Sequence, residues 1–154
     1  MKDANTEISN NDPFDLNRFI TAQEQVYQRV LTELNSGQKR SHWMWYIFPQ
    51  LRGLAQSTTS QYYGIKNREE AIAYLNHPIL GSRLRQCAEI VNQIKGKTVS
   101  EIFAYPDDLK LKSSMTLFST VADEAICDSI LARYFQSQKD FKTLQILDKI
   151  GTSK

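Results

Sequence analysis

Two cysteines, four prolines and six glycines are all that this chain of 154 residues contains of those types. Cys87 and Cys127 lie far apart and form no Cys-x-x-Cys pair. One bridge between them is the most they allow, and nothing else points to a secreted disulfide scaffold. The expected compartment is the reduced cytoplasm, with both thiols packed as small hydrophobes. A strong charge bias is also missing. The formal net charge is +2, and the longest basic cluster is Gln38, Lys39, Arg40, so neither a basic stripe nor dedicated nucleic-acid binding is expected. No apolar run approaches the roughly 20 residues that a membrane helix needs. The polar start, "MKDANTEISNND", is no signal peptide. There is no Walker A loop, no Gly-x-Gly-x-x-Gly and no Gly-x-Ser-x-Gly elbow, which leaves the phosphate-loop and serine-hydrolase classes without support. The two histidines, His42 and His77, and the two cysteines lack any zinc spacing, so no metal and no cofactor is expected.

What is present is an ordinary globular composition, 41% hydrophobic and 23% charged, at a length that suits one domain. Residues 1–11 read as a disordered polar tail, and 12–151 as a single all-α domain. Asp12 and Pro13 mark a helix start, and Phe19, Ala22, Val26, Val30 and Leu34 continue it at helical spacing up to Gly37. A short helix fits residues 42–47. The stretch 51–65 reads mainly as loop, with one helical turn near residues 61–63. Asn67 with Glu70 and Thr98 with Glu101 have capping-box spacing. "NHP" at 76–78 separates two helices, with His77 as a helix-start residue, and Gly96 closes the second. Helices are expected at about 108–123, 124–135 and 140–150, the last capped by Gly151. No hairpin signal and no internal repeat is present. The expected fold is an all-α orthogonal bundle of about six to eight helices.

Two segments combine apolar anchors with sparse polar groups. The first is "KRSHWMWYIFPQL", residues 39–51. Its aromatics face several directions on a short helix, which suits a core plug. His42 is the candidate general acid or base, because imidazole changes charge near neutral pH. Trp43 and Trp45 offer flat faces to a planar ligand, and Gln50 offers an amide. The second is "DDLKLKSSMTLFSTVAD", residues 107–123. Leu111, Met115, Phe118 and Ala122 form an apolar stripe. The neighbouring face holds Lys110, Ser113, Thr116, Leu117 and Thr120, mostly small, hydroxylic and uncharged, where a solvated helix face would carry Glu, Lys and Arg. Such hydroxyls either bond back to the preceding turn or line a polar pocket in which Lys110 meets an anion. Buried polar groups need partners, so the two segments are expected to meet in space. His42 and Gln50 would then face Lys110, Ser113 and Thr116.

Four stretches, "SHWMWYIFPQL", "AYLNHPILGSRLRQC", "IFAYPDDLKLKSSMTLF" and "DFKTLQIL", resemble a bacterial family filed as domain of unknown function number eighteen-ten, some of whose members are labelled calpastatin. The resemblance covers residues 12–147. It implies a compact all-α fold and no established activity. It places the family's polar positions on His42, Gln50, His77, Asp107, Lys110, Ser113, Ser114 and Thr116, and its aromatic motif on Trp43, Trp45, Phe48 and Pro49. Ala104 stands where those relatives more often have Gly. The order Ala-x-x-Tyr-Leu, then Pro-x-Leu-Gly-x-Arg-Leu, is also similar to the NADAR family, all-α proteins that act on N-glycosidic bonds of ADP-ribose-type compounds. Two readings of function stay open. One is a pocket for a nucleotide or ribosyl small molecule, whether bound or transformed. The other is a non-catalytic module that binds another protein. The oligomeric state is not legible.

Overall fold

The computed structural model describes residues 12–152. Its regular structure is helical, apart from one isolated bridge between Leu51 and Ile65. Ten helices occur among the described residues, against the six to eight expected: α1 (Asn17–Glu24), α2 (Tyr27–Asn35), α3 (Met44–Ile47), α4 (Thr58–Tyr63), α5 (Arg68–Asn76), α6 (Leu80–Gln93), α7 (Val99–Phe103), α8 (Asp107–Ala122), α9 (Ala125–Phe135) and α10 (Phe141–Thr152). The polar tail expected over 1–11 lies outside the described residues.

Part of the excess comes from the first helix. The continuous run expected after Asp12 is broken at Gln25 and Val26, and Val26 leaves helical geometry at φ −122°, ψ −6°. No Gly or Pro marks the break. α1 packs against α3 whereas α2 packs against α6, so the two halves aim their apolar faces at different partners. Asp12 does serve the helix start, accepting from the amides of Leu16 at 2.7 Å and Asn17 at 2.9 Å. α4 is the other addition. Ser57 caps it by accepting from the Ser60 amide, within a stretch that reads as loop.

Elsewhere the local signals act as the residue types dictate. Thr98 and Glu101 form a complete capping box. Asn67 accepts from the Glu70 amide at 2.8 Å, but the Glu70 carboxylate turns to the Lys66 amide and to Arg18. His77 Nδ1 accepts from the amides of Ile79 and Leu80 at 3.1 and 3.3 Å, at the start of α6. Gly37 takes φ +77° behind α2, the left-handed conformation that ends helices. Gly151 does not cap α10, which continues through it to Thr152.

α8 is the central element, packed against α5, α7, α9 and α10. Every residue from Ser113 to Ser119 is buried. Its uncharged hydroxyl face is therefore an inner face, where small side chains let neighbouring helices approach. Ala122, placed by spacing on the apolar stripe, is exposed at the helix end. The buried apolar residues of all these helices form one cluster, from Leu16 and Phe19 to Leu131 and Leu147. Cys87 and Cys127 belong to it as unbridged thiols. Burial pushes the Cys87 thiol up to about 12 and raises Cys127 as well, which leaves both protonated and unreactive.

Candidate functional site

The aromatic segment is held from below by one carboxylate. Glu33, at the end of α2, is 7% exposed. Its Oε1 accepts from the Arg40 amide at 2.8 Å, the Ser41 amide at 3.1 Å and the Trp43 Nε1–H at 2.8 Å. Its Oε2 accepts from the Ser41 hydroxyl at 2.6 Å. Burial by itself would raise this carboxyl. The four donors outweigh burial and hold it at about 2. Lys39 fixes the other end, its amide donating to the Ile102 carbonyl of α7 at 2.8 Å.

This anchorage decides where the aromatic residues go. Trp43 is 1% exposed and packs against Phe48, tilted, and Phe103, edge-on, at centroid distances of 6.3 and 6.4 Å. It is a core residue with its one donor satisfied. His42, held between Ser41 and Trp43, points to the surface and is exposed. Trp45 is half-buried, and the Lys110 ammonium lies 4.0 Å from its ring centroid. Lys39 sits likewise over Trp43 at 5.1 Å. Asp107, the first residue of α8, accepts from both lysines: Lys39 Nζ at 2.7 Å on Oδ2 and Lys110 Nζ at 3.1 Å on Oδ1. A chain of contacts thus runs Trp43, Lys39, Asp107, Lys110, Trp45. Two ammonium groups share one carboxylate, so the arrangement keeps a net positive charge.

After Pro49 the backbone is pinned to the loop before α5. The Gln50 carbonyl accepts from the Ile65 amide at 2.9 Å, and the Arg52 amide donates to the Ile65 carbonyl at 2.8 Å. Gly64 permits this approach, since a Cβ there would lie 2.7 Å from Arg52 Cα. The pinning closes residues 52–64 into a loop and sets Gln50 against α8. A cleft of about 220 Å³ results, lined by Gln50, Leu54, Ala55, Pro106, Leu109, Lys110, Ser113, Asp140 and Lys142.

Three expected residues, Gln50, Lys110 and Ser113, come together in this cleft. Trp45 does not line it but holds Lys110 from behind. His42, Trp43 and Thr116 do not line it. The Thr116 hydroxyl is fully buried and accepts from the Asp140 amide at 2.8 Å, which ties the start of α10 to α8. Ser113 lines the cleft and donates back to the Leu109 carbonyl at 3.2 Å, so its oxygen keeps only acceptor capacity. Gln50 is 8% exposed, yet its Oε1 has no hydrogen-bond partner. Ser114 Oγ is the other orphaned buried atom among the described residues; it lies inside α8 and does not line the cleft.

Asp140 and Lys142 escaped the reading of the sequence as site residues, although they lie in "DFKTLQIL". The usable signal was Asp140 with Thr143, an N-cap spacing that placed a helix start without saying where it would dock. Among the described residues no group of three or more His, Cys, Asp or Glu is arranged to hold a metal ion, and no helix is long and apolar enough to cross a membrane.

No curated protein matches the chain. A solved structure does: the conserved hypothetical protein Rv1873 from Mycobacterium tuberculosis is similar at 51% identity, over 89% of this chain and 99% of that one, with a TM-score of 0.88. The sequence pattern of the family described as "Protein of unknown function (DUF1810)" matches residues 13–147. The chain therefore belongs to the DUF1810 family.

Proposed function

We propose that this protein binds a small polar organic molecule in the cleft between the Gln50 loop, α8 and the start of α10, and that the ligand is of the nucleotide or ribosyl class. The observation that carries this reading is the Gln50 side chain on the cleft wall, more than nine-tenths buried, whose Oε1 is shut off from solvent and has no partner. An unmet buried acceptor costs about 1–3 kcal/mol, and a ligand donor would remove that penalty. Lys110 supports the same reading. Its ammonium has three donors; Asp107 takes one and the Trp45 ring faces the group, which leaves the cleft side free. Leu54, Ala55, Pro106 and Leu109 give the apolar wall that small-molecule sites combine with a few polar groups. The likeness to NADAR proteins points to the ribosyl class. The reading is one of binding, and the exposed His42 receives no acid–base role in it.

Amide chemical shifts test it. The full chain is titrated with AMP, ADP, ADP-ribose, NAD and adenosine. Shifts centred on Gln50, Leu54, Lys110, Ser113 and Lys142 are expected. Shifts centred instead on another face, or none with any compound, would overturn the reading and favour the protein-interaction module.

A further inference from the structure

The cleft is divided into a donor half and an acceptor half. On the donor side stand Lys110, Lys142 and the start of α10, a helix of 12 residues. The amides of Phe141 and Lys142, the first two of α10, make no hydrogen bond among the described residues, and a helix start carries partial positive charge. Lys142 is exposed with no ion-pair partner among the described residues. On the acceptor side stand Gln50 Oε1, unpartnered, and Ser113 Oγ, whose proton is used on Leu109. Two acidic groups stand nearby. Asp107 is shared by Lys39 and Lys110. Asp140 caps α10 through Oδ2, which accepts from the Thr143 amide and hydroxyl at 3.0 and 2.6 Å; it has no ion pair among the described residues, and Lys110 and Lys142 outnumber its one negative charge on the cleft lining.

The donor half suits one kind of anion. No arginine lines the cleft, so it has none of the planar forks that select carboxylates. Ammonium points and free helix amides suit a tetrahedral phosphate. Size narrows the class further. At about 220 Å³ the cleft falls below the roughly 300–1,000 Å³ that encloses a drug-sized ligand. The cleft is open to solvent on one side, so this volume favours a small ligand, and a dinucleotide would extend beyond its walls.

We propose that the ligand is a phosphate monoester of sugar-phosphate or mononucleotide size. Its phosphate sits at the α10 end between Lys110 and Lys142. A hydroxyl or amino group on its organic part donates to Gln50 Oε1 and Ser113 Oγ. This rests on the binding reading above and adds the ligand's polarity and size.

Calorimetry on the full chain tests it with matched pairs: ribose 5-phosphate against ribose, glucose 6-phosphate against glucose, AMP against adenosine, with inorganic phosphate alone as a further probe. Each ester that binds is expected to do so at least tenfold more tightly than its parent and than inorganic phosphate. Lys142→Glu, a surface change, should weaken the best ester tenfold or more and leave its parent alcohol unchanged. Gln50→Leu should weaken the ester while leaving inorganic phosphate unchanged. Circular dichroism confirms that both variants are folded. Equal binding of an ester and its parent, equal binding of inorganic phosphate, or indifference to Lys142→Glu overturns this proposal and leaves the binding reading standing. No binding by any ester overturns it too, and if no compound of either panel moves a cleft amide, the binding reading falls with it.

Discussion

Glu33 and Gln50 flank the same aromatic segment, both are buried, and both are polar. Glu33 is saturated by four donors from Arg40, Ser41 and Trp43. Gln50 keeps an acceptor without a partner at the wall of a cleft. In the first case folding itself supplies the partners, and the group serves to hold a loop in shape. In the second case the fold builds the acceptor and supplies no partner for it. Hydrogen-bond completeness, rather than residue type or burial, separates the structural half of this segment from the half to which binding is proposed.

The largest effect is expected at Trp43. Trp43→Ala removes a fully buried indole and leaves Glu33 short of a donor. A loss of about 3–5 kcal/mol is expected in urea denaturation. A loss below about 1 kcal/mol would mean that Trp43 is not core. Next comes Glu33 as a titrating group. Its carboxyl lies at about 2 in the folded chain against an ordinary 4.5. A lowered folded value means that the stabilisation is complete above pH 4.5 and is lost as pH falls through about 2. The unfolded chain takes up the proton first. That contribution amounts to about 3 kcal/mol, so stability measured from pH 5 to pH 2 should fall less steeply for Glu33→Gln than for the natural chain. Parallel profiles would show that Glu33 is not the anchor.

Smaller effects sharpen the contrast on the cleft side. Ala104 ends α7 at φ 62°, ψ 159°, a region essentially reserved for glycine. It sits two residues before Pro106, which lines the cleft. Ala104→Gly should raise stability by about 1 kcal/mol, the relief of strain less the entropy of a glycine, read as a higher Tm. A lower Tm would place the strain elsewhere. The last effect belongs to Gln50→Leu. With no partner to lose and an unmet buried acceptor removed, stability should hold level or rise, by at most about 1–3 kcal/mol, in the same thermal melts. A loss of 2 kcal/mol or more would show that Gln50 is bonded in solution and belongs with Glu33.

The candidate cleft was partly legible. Gln50, Lys110 and Ser113 stood out because each is a sparse polar group in a segment with apolar anchors, and buried polar groups must be met by something. Trp45 stood out as an aromatic, but its use is to support Lys110. His42 stood out by chemistry alone, and chemistry does not say which way a side chain points. That direction depends on Glu33, whose role was hidden because a lone glutamate on a helix usually faces water. Thr116 shared the hydroxyl face with Ser113, yet one turn of helix takes it to the amide of Asp140 instead of the cleft.

The sequence by itself determined the class of the fold and most helix limits from Asn67 onward. Caps, glycines and apolar spacing act within a few residues and need no distant partner, as the Thr98–Glu101 box and the left-handed Gly37 show. Only the tertiary structure decided the break at Gln25 and Val26, since that depends on α1 and α2 packing against different helices. It also decided the membership of the cleft. Gln50 is placed by the bridge to Ile65, Lys110 by Asp107 and Trp45, and Lys142 by the bond from Asp140 to Thr116. Each of those contacts joins parts of the chain remote in sequence, and no local pattern encodes which remote partner a polar group will meet.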